Sequence, residues 1–232
     1  NVSATCDNSN CITYVPDENL ENYLESNNMG NGIANDDYVL TSAIDTVSFL
    51  SLDGMNAIQN ITGIENFSSL IFLDLDGTGV DTINVSNLTS LSVLTANIYS
   101  QDHTLITNNN TSLDSISFSY SYWGGMWGGD SVNVSLDLTG APNLTAINCS
   151  YTALDSLDLS SNISLVTLYA SNGALNFINT SNNPALTYLN CFGNQLTSLD
   201  LSSNPALTYL NCKANQLTSL DLSSNPALTY LN

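Results

Sequence analysis

The sequence offers few side chains that could perform catalysis. Its single histidine, His103, follows Asp102, and no G-x-S-x-G motif or other recognisable nucleophile accompanies this pair. A phosphate-binding G-x-x-x-x-G-K-[ST] loop does not occur either. Acids are plentiful, but no pair of them is singled out for glycoside hydrolysis. The sequence therefore predicts a protein that is not an enzyme, with His103 on a polar surface turn.

Carboxylates could instead bind a cation, since clustered oxygen ligands suit Ca²⁺. One such cluster lies in an Asn-rich segment, although it lacks the D-x-D-x-D-G spacing and following Glu of a calcium loop. Others fall one repeat apart along the chain. We predict no cofactor besides Ca²⁺, whose candidate ligands are Asp36, Asp37, Asp53, Asp74 and Asp76. A further row of acids, which is either solvated or bound to counter-ions, comprises Asp137, Asp158, Asp200 and Asp221.

The five cysteines fall into two groups. Cys6 and Cys11 bracket a short polar segment, and this spacing suits a local disulfide formed in an oxidising compartment, with two free thiols as the alternative. The other three, Cys149, Cys191 and Cys212, recur at one position of a repeat, and the sequence predicts them to be small buried hydrophobes.

Composition narrows the class of partner. One Lys or Arg stands against 21 Asp and Glu, giving a net charge of −20. Such a chain repels nucleic acid and anionic membranes. No stretch reaches the ~20 apolar residues that would cross a bilayer, and we expect a mature chain from which a signal peptide has been removed. Cell-surface glycans, cell-surface proteins or copies of the same chain remain as partners.

These side chains must be positioned by a repeat. Residues 186–206 read LTYLNCFGNQLTSLDLSSNPA, and residues 207–227 repeat them almost unchanged, so the period is 21 residues. Earlier copies begin at Leu144 and Leu165 and, with more divergence, at Val47, Leu70, Leu91 and Leu113. The unit L-x-x-L-x-C/L-x-x-N-x-L is that of a leucine-rich repeat.

The repeat predicts a leucine-rich-repeat solenoid. Its parallel strands line the concave face, and its convex side is mostly irregular or built of short strands. Alternation places Leu210 and Cys212 inward and Tyr209 and Asn211 outward. Asn194 and Asn215 are expected to form an internal ladder of hydrogen bonds. The Asn-Pro pairs at Asn204 and Asn225 are expected to turn the chain back.

The predicted organisation has two parts. Residues 1–46 form an N-terminal segment and cap, with a short helix over residues 19–27 preceded by Pro16. Residues 47–232 form the repeats. They are interrupted by an aromatic, Gly-rich insertion at about residues 120–131. The sequence stops within a repeat, and we expect it to come from a longer protein.

Two surfaces are candidate binding sites. The first is the concave strand face, where tyrosines could hold a sugar or a protein loop, although Tyr also simply suits exposed strands. Its candidate residues are Tyr169, Tyr188, Asn190, Tyr209, Asn211 and Tyr230. The second is the insertion, which either contacts a partner or packs on the solenoid. Its candidate residues are Tyr120, Tyr122, Trp123, Met126 and Trp127.

The chain resembles bacterial secreted leucine-rich-repeat proteins of the internalin-like and type IX-secreted kinds. The resemblance is carried by residues 14–20 (YVPDENL), 35–41 (NDDYVLT) and 61–67 (ITGIENF), together with the repeats. It implies secretion, a surface-attached or released location, and a role in adhesion or recognition. By this resemblance, Asp-Ser/Thr-apolar triplets make O-glycan acceptors of Thr46, Thr82, Ser115 and Ser156.

The function predicted is adhesion to, or recognition of, cells, glycans or proteins by an extracellular surface module. The alternative is a structural subunit that assembles with copies of itself into a fibre or surface appendage. Ice or mineral binding through the regular Thr and Asn rows is a third hypothesis.

Overall fold

The computed structural model describes residues 11–97, 103–119 and 134–232. Its secondary structure consists almost entirely of short strands, because each 21-residue repeat gives the chain room for only one or two of them per coil. In chain order the strands are β1 (Ile12–Tyr14), β2 (Tyr38–Leu40), β3 (Phe49–Ser51), β4 (Phe72–Asp74), β5 (Thr82–Asn84), β6 (Val93–Thr95), β7 (His103–Ile106), β8 (Ser115–Ser117), β9 (Val134–Asp137), β10 (Ala146–Asn148), β11 (Ser156–Asp158), β12 (Thr167–Tyr169), β13 (Phe177–Asn179), β14 (Tyr188–Asn190), β15 (Tyr209–Asn211) and β16 (Tyr230–Leu231).

A parallel main sheet runs the length of the stack. Within the described residues it has nine strands in the order β3-β4-β6-β8-β10-β12-β14-β15-β16, each paired with the next in register. Shorter parallel sheets, β5-β7-β9 and β11-β13, are formed by the returning halves of the coils. This architecture confirms the predicted leucine-rich-repeat solenoid.

Leucines one period apart build the core. In the main-sheet strands other than β16, the central residue is inward and buried, which is worth roughly 2 kcal/mol for a large aliphatic side chain. These central residues are Leu50, Leu73, Leu94, Ile116, Ile147, Leu168, Leu189 and Leu210. Because one coil cannot enclose its own apolar face, stability comes from stacking neighbouring coils.

The insertion leaves the main sheet unbroken. Ser115 of β8 pairs directly with Ala146 of β10, although the chain between them is ten residues longer than one period. The next described strand after β8 is β9, which joins the smaller sheet beside β7. The insertion residues singled out by the sequence, Tyr120, Tyr122, Trp123, Met126 and Trp127, lie outside the described residues.

A small cap covers the first coil. It contains helix α1 (Glu18–Ser26), helix α2 (Thr41–Ile44) and the antiparallel pair β1-β2. A 3₁₀ turn, Ile64–Asn66, follows in the first repeats. Helix α1 begins one residue before the predicted helix, because the side chain of Asp17 caps it by accepting the N–H groups of Asn19 and Leu20. The inner face of α1 is buried through Leu20 and Leu24.

Two asparagine ladders tie the coils together. Asn194 and Asn215 form the predicted one: Asn194 donates to the carbonyl of Ala170 at 2.7 Å and accepts the N–H of Leu175. A second ladder was missed, since the Asn-Pro pairs were interpreted as turns. Its members are buried and donate to carbonyls of the preceding coil; they include Asn110, Asn162, Asn183, Asn204 and Asn225.

The surface placement predicted for His103 was wrong. His103 is the first residue of β7 and is only 6% exposed. Alternation along β7 sends His103 and Leu105 inward, and the imidazole meets the ring of Phe118 edge-on, with the centroids 6.2 Å apart. The polar residues before His103 resembled a turn in the sequence, whereas His103 itself belongs to a strand.

The cysteines of the repeats lie inward as predicted. Cys149 and Cys191 are buried free thiols, and burial raises the pKa of each to about 12. Cys212 is half-buried, and burial raises its pKa as well. Cys11 is disulfide-bonded, while its predicted partner Cys6 lies outside the described residues, so this pairing stays a prediction. None of the helices in the described ranges is long and apolar enough to span a membrane.

Candidate functional site

Two rows of side chains cover the outer face of the main sheet. The first row comes from the residue before each buried central position, and the second row from the residue after it. The first row is Phe49, Phe72, Val93, Ser115, Ala146, Thr167, Tyr188, Tyr209 and Tyr230. The second row is Ser51, Asp74, Thr95, Ser117, Asn148, Tyr169, Asn190 and Asn211.

The last three members of the first row form a stacked column. The rings of Tyr188 and Tyr209 are 4.2 Å apart and 7° from parallel, and those of Tyr209 and Tyr230 are 4.3 Å apart and 1° from parallel. Tyr169, in the second row, tilts against Tyr188 at 4.8 Å. Identical residues in register on adjacent strands bring the rings to this spacing, which is close to the strand separation of about 4.8 Å.

Stacking decides which part of each tyrosine a ligand can reach. Tyr188 is covered on one ring face by Tyr209 and on the other by Tyr169, and Tyr209 lies between Tyr188 and Tyr230. The ring edges and hydroxyl groups are left for contact. Burial, followed by the neighbouring hydroxyls of Tyr209 and Tyr169, raises the pKa of Tyr188, so its hydroxyl remains protonated at neutral pH.

Asparagines of the second row present their amide hydrogens. The Oδ1 atom of Asn190 accepts the backbone N–H of Phe192 at 3.2 Å, and that of Asn211 accepts the N–H of Lys213 at 3.3 Å. Because a backbone N–H requires the oxygen, these bonds fix the orientation of each amide. No residue of the described ranges accepts from either Nδ2 group, so both remain as donors. Together, Tyr169, Tyr188, Tyr209, Tyr230, Asn190 and Asn211 are called the ladder face below.

The carboxylates proposed as calcium ligands are occupied by hydrogen bonds. Asp74 accepts the hydroxyls of Ser51 at 3.1 Å and Thr95 at 2.7 Å. Asp76 accepts the N–H of Asn97 at 2.7 Å and its Nδ2 group at 2.6 Å. These bonds join three successive coils, which gives both carboxylates a structural role.

The remaining candidate calcium ligands are Asp36, Asp37 and Asp53. Asp36 accepts from the side chain of Asn31 and from the N–H of Tyr38, Asp37 has a positive φ of 65°, and Asp53 is exposed. Within the ranges that the structure describes, no three His, Cys, Asp or Glu residues are grouped so that they could hold a metal ion.

The acids on the other side of the stack cap turns. Asp158, Asp200 and Asp221 each accept the backbone N–H two residues ahead, and these bonds lower the pKa of all three carboxyls. Asp137 binds the N–H and hydroxyl of Thr139 in the same way. Each charge is thus stabilised within its own coil.

An aromatic pair at the other end of the main sheet was missed. The rings of Phe49 and Phe72 stack at 4.7 Å and 4°, with Phe49 62% exposed beside the exposed Ile71. The signal was present in the sequence, since both phenylalanines precede an inward leucine at the repeat position that Tyr209 occupies. Divergence of the early repeats hid this equivalence.

The O-glycan candidates differ in accessibility. Thr46, Thr82 and Ser156 are exposed, whereas Ser115 is half-buried in the first row. Their modification remains a prediction based on the family resemblance.

Comparison with known proteins agrees with the fold. A family model described as Leucine Rich repeats (2 copies) matches residues 184–232. InlP from Listeria monocytogenes is similar in structure, with 23% identity and a TM-score of 0.67 over 94% of this chain and 65% of that one. The functional domain of InlJ from the same organism, which includes a cysteine ladder, gives 22% identity and a TM-score of 0.50 over 97% and 57%.

A further structural similarity has lower sequence identity. The Toll–Spatzle complex from Drosophila gives 17% identity and a TM-score of 0.58 over 83% of this chain and 30% of that one. Among curated proteins, none matches. The chain spans less than two thirds of each of the three solved structures. At these sequence identities, the similarity shows the leucine-rich-repeat fold alone.

Proposed function

We propose that this protein is a non-enzymatic, extracellular recognition module that binds its partner, a cell-surface protein or glycan, through the ladder face. The observation that carries the proposal is the stacked column Tyr188-Tyr209-Tyr230 beside the free amides of Asn190 and Asn211. Tyrosine is enriched at binding interfaces, and these tyrosines lie on the surface of the main sheet, outside the hydrophobic core.

The shared fold supports recognition as the general role. Leucine-rich-repeat solenoids present extended surfaces on which partners are bound. Toll is described in its complex with Spatzle. The disulfide-bonded Cys11 supports a location outside the cell, because thiols stay reduced in the cytosol. The net charge of −20 supports protein or neutral glycan over nucleic acid.

An array of immobilised extracellular proteins and glycans tests the proposal. The wild-type chain is compared with the double variant Tyr188→Ser/Tyr209→Ser and with Phe177→Ser. Phe177 is a matched control, because it is an aromatic residue, 53% exposed, on β13 outside the main sheet. We expect the double variant to lose binding by about tenfold or more, and the control to keep it.

The proposal is wrong if the double variant binds every protein and glycan that the wild type recognises, and binds each of them equally well. Circular dichroism and a melting temperature measured on each variant separate loss of the surface from loss of the fold.

A further inference from the structure

In the middle of the ladder face, hydrogen-bond donors are accessible and open ring faces are not. Tyr188 and Tyr209 have neighbouring rings on both faces, so a sugar or side chain cannot stack upon them. What remains for a ligand is the row of neighbouring hydroxyls, together with the Nδ2 groups of Asn190 and Asn211, which have no acceptor among the described residues. A ligand complementary to this surface must therefore be rich in acceptors, such as carbonyl, ether or hydroxyl oxygens.

The donors repeat along the stack, and this restricts the shape of the ligand. Equivalent tyrosines recur on three adjacent strands, β14, β15 and β16, at a separation of about 4.8 Å. A matching ligand runs along the stack and presents its acceptors at a similar interval.

Polypeptides fit this interval poorly. An extended peptide exposes carbonyls on one edge every second residue, at about 6.8 Å, and loses register within one coil. An α-helix has a pitch of about 5.4 Å, but its carbonyls are already bonded within the helix. A linear sugar polymer presents ring, glycosidic and hydroxyl oxygens on every unit, and the length of a unit is of the same order as the strand spacing.

Charge restricts the ligand further. The chain carries 21 acids and one cation, Lys213, so a polyanion such as a sulfated or uronic-acid polymer is repelled. The members of the ladder face are themselves uncharged. A neutral polymer that carries acceptor oxygens avoids this repulsion and still matches the hydrogen-bond donors of the ladder face.

We infer that the ladder face binds a neutral, linear polysaccharide whose chain lies along the stack, with sugar oxygens accepting from the tyrosine hydroxyls and asparagine amides. This inference rests on the proposed function and names its ligand class.

Affinity electrophoresis of the full chain tests the inference. The gels contain hydroxyethylcellulose, xylan, galactomannan or dextran as neutral polymers, and carboxymethylcellulose as a polyanion with the backbone of the first. We expect retardation by at least one neutral polymer and none by carboxymethylcellulose. The inference is overturned if no neutral polymer retards the protein.

A variant that replaces one hydrogen-bond donor of the ladder face with an acceptor tests whether binding depends on that donor. In Asn211→Asp the carboxylate still accepts the N–H of Lys213 but replaces the amide donor with an acceptor. The fold tolerates this residue, because Asp74 occupies the same row on β4 and accepts the N–H of Asp76. Asn84→Asp is the matched control, since Asn84 is exposed on β5 and accepts the N–H of Ser86.

We expect Asn211→Asp to weaken binding about tenfold or more and Asn84→Asp to leave it unchanged. The triple variant Tyr188→Phe/Tyr209→Phe/Tyr230→Phe, which keeps the rings and removes the hydroxyls, should lose binding as well. Full affinity in the triple variant or in Asn211→Asp would contradict recognition through donors.

The two proposals fail in different ways. If a protein on the array binds in a manner sensitive to Tyr188→Ser/Tyr209→Ser while no polysaccharide binds, the glycan inference is wrong and the recognition function stands. If that double variant binds every ligand like the wild type, both are wrong.

Discussion

The carboxylate of Asp17 accepts the backbone N–H of Gln59 at 2.8 Å across 42 residues of sequence. The same Oδ2 atom accepts the N–H of Asn60, while Oδ1 caps helix α1 through Asn19 and Leu20. A single side chain thus satisfies four backbone donors and fastens the cap to the first coils.

Replacing Asp17 should therefore loosen the cap. We expect Asp17→Ala to lower the free energy of unfolding by about 2 kcal/mol, since it removes a helix cap and leaves two further N–H groups without their charged acceptor. Urea unfolding followed by circular dichroism measures the loss. Asp53→Ala, at an exposed carboxylate, is the control and should change stability little. Equal stability of the two variants would show that Asp17 does not fasten the cap.

Replacing an asparagine of the second ladder should lower the free energy of unfolding of the repeats. Asn204 donates to the carbonyls of Thr180 at 3.0 Å and Asn183 at 2.9 Å, and accepts the hydroxyl of Thr180 at 2.9 Å. Asn204→Ala leaves these buried groups unpaired, so we expect a loss of about 2–4 kcal/mol in urea unfolding. Gln195→Ala, at an exposed position of the same repeat, should lower the free energy of unfolding far less. A loss as small as that of the control would mean that the ladder contributes little to stability.

Buried thiols predict how stability depends on alkaline pH. The pKa values of Cys149 and Cys191 are about 12 in the folded protein, above the ordinary value of 9.0. The unfolded chain therefore releases these protons first, and stability falls as the pH rises from about 9 towards 12. The double variant Cys149→Ala/Cys191→Ala should show a shallower decline in melting temperature over this range. An identical decline in the variant and the wild type would show that titratable groups other than these thiols cause it.

The same thiols should react slowly with a thiol reagent. In the native protein at pH 8 we expect Cys212, which is half-buried, to be modified before Cys149 and Cys191, because reaction requires an accessible thiolate. Mass spectrometry after timed quenching gives the order. Modification of all three at one rate would indicate that the core opens as a unit.

Calcium should have little effect on stability. Asp74 and Asp76 already accept hydrogen bonds from Ser51, Thr95 and Asn97, so a cation would have to displace existing donors. We expect the melting temperature to be the same in EDTA and in millimolar CaCl₂. A rise with Ca²⁺ that disappears in Asp74→Asn would show that this carboxylate is a ligand after all.

The sequence predicted the features that depend on period alone. Leucines spaced 21 residues apart specify the parallel sheet, and the outward position of Tyr209 follows from alternation with Leu210. Features that depend on which residues of the neighbouring coil contact a side chain could not be predicted from the sequence. Asn204 precedes a proline, a pattern typical of turns, and only stacking shows that its amide reaches the coil before it.

The candidate site shows the same division. The sequence identified Tyr188 and Asn190 as outward, and suggested that flat rings would meet a ligand. In the structure the ring centroids of Tyr188 and Tyr209 are 4.2 Å apart, so the facing sides of the two rings are covered and their edges stay accessible. Whether a ring face is open depends on the separation of strands, which no single repeat specifies.

The direct pairing of Ser115 with Ala146 across a longer connection has a consequence for how such a chain can change over evolution or by engineering. Sheet register depends on where a coil returns to the stack, and not on how many residues it uses beforehand. The connection between β8 and β9 is therefore a place where foreign segments could be grafted, or lengths altered, while neighbouring coils keep their partners. A designer seeking to display a new loop on this scaffold would begin there.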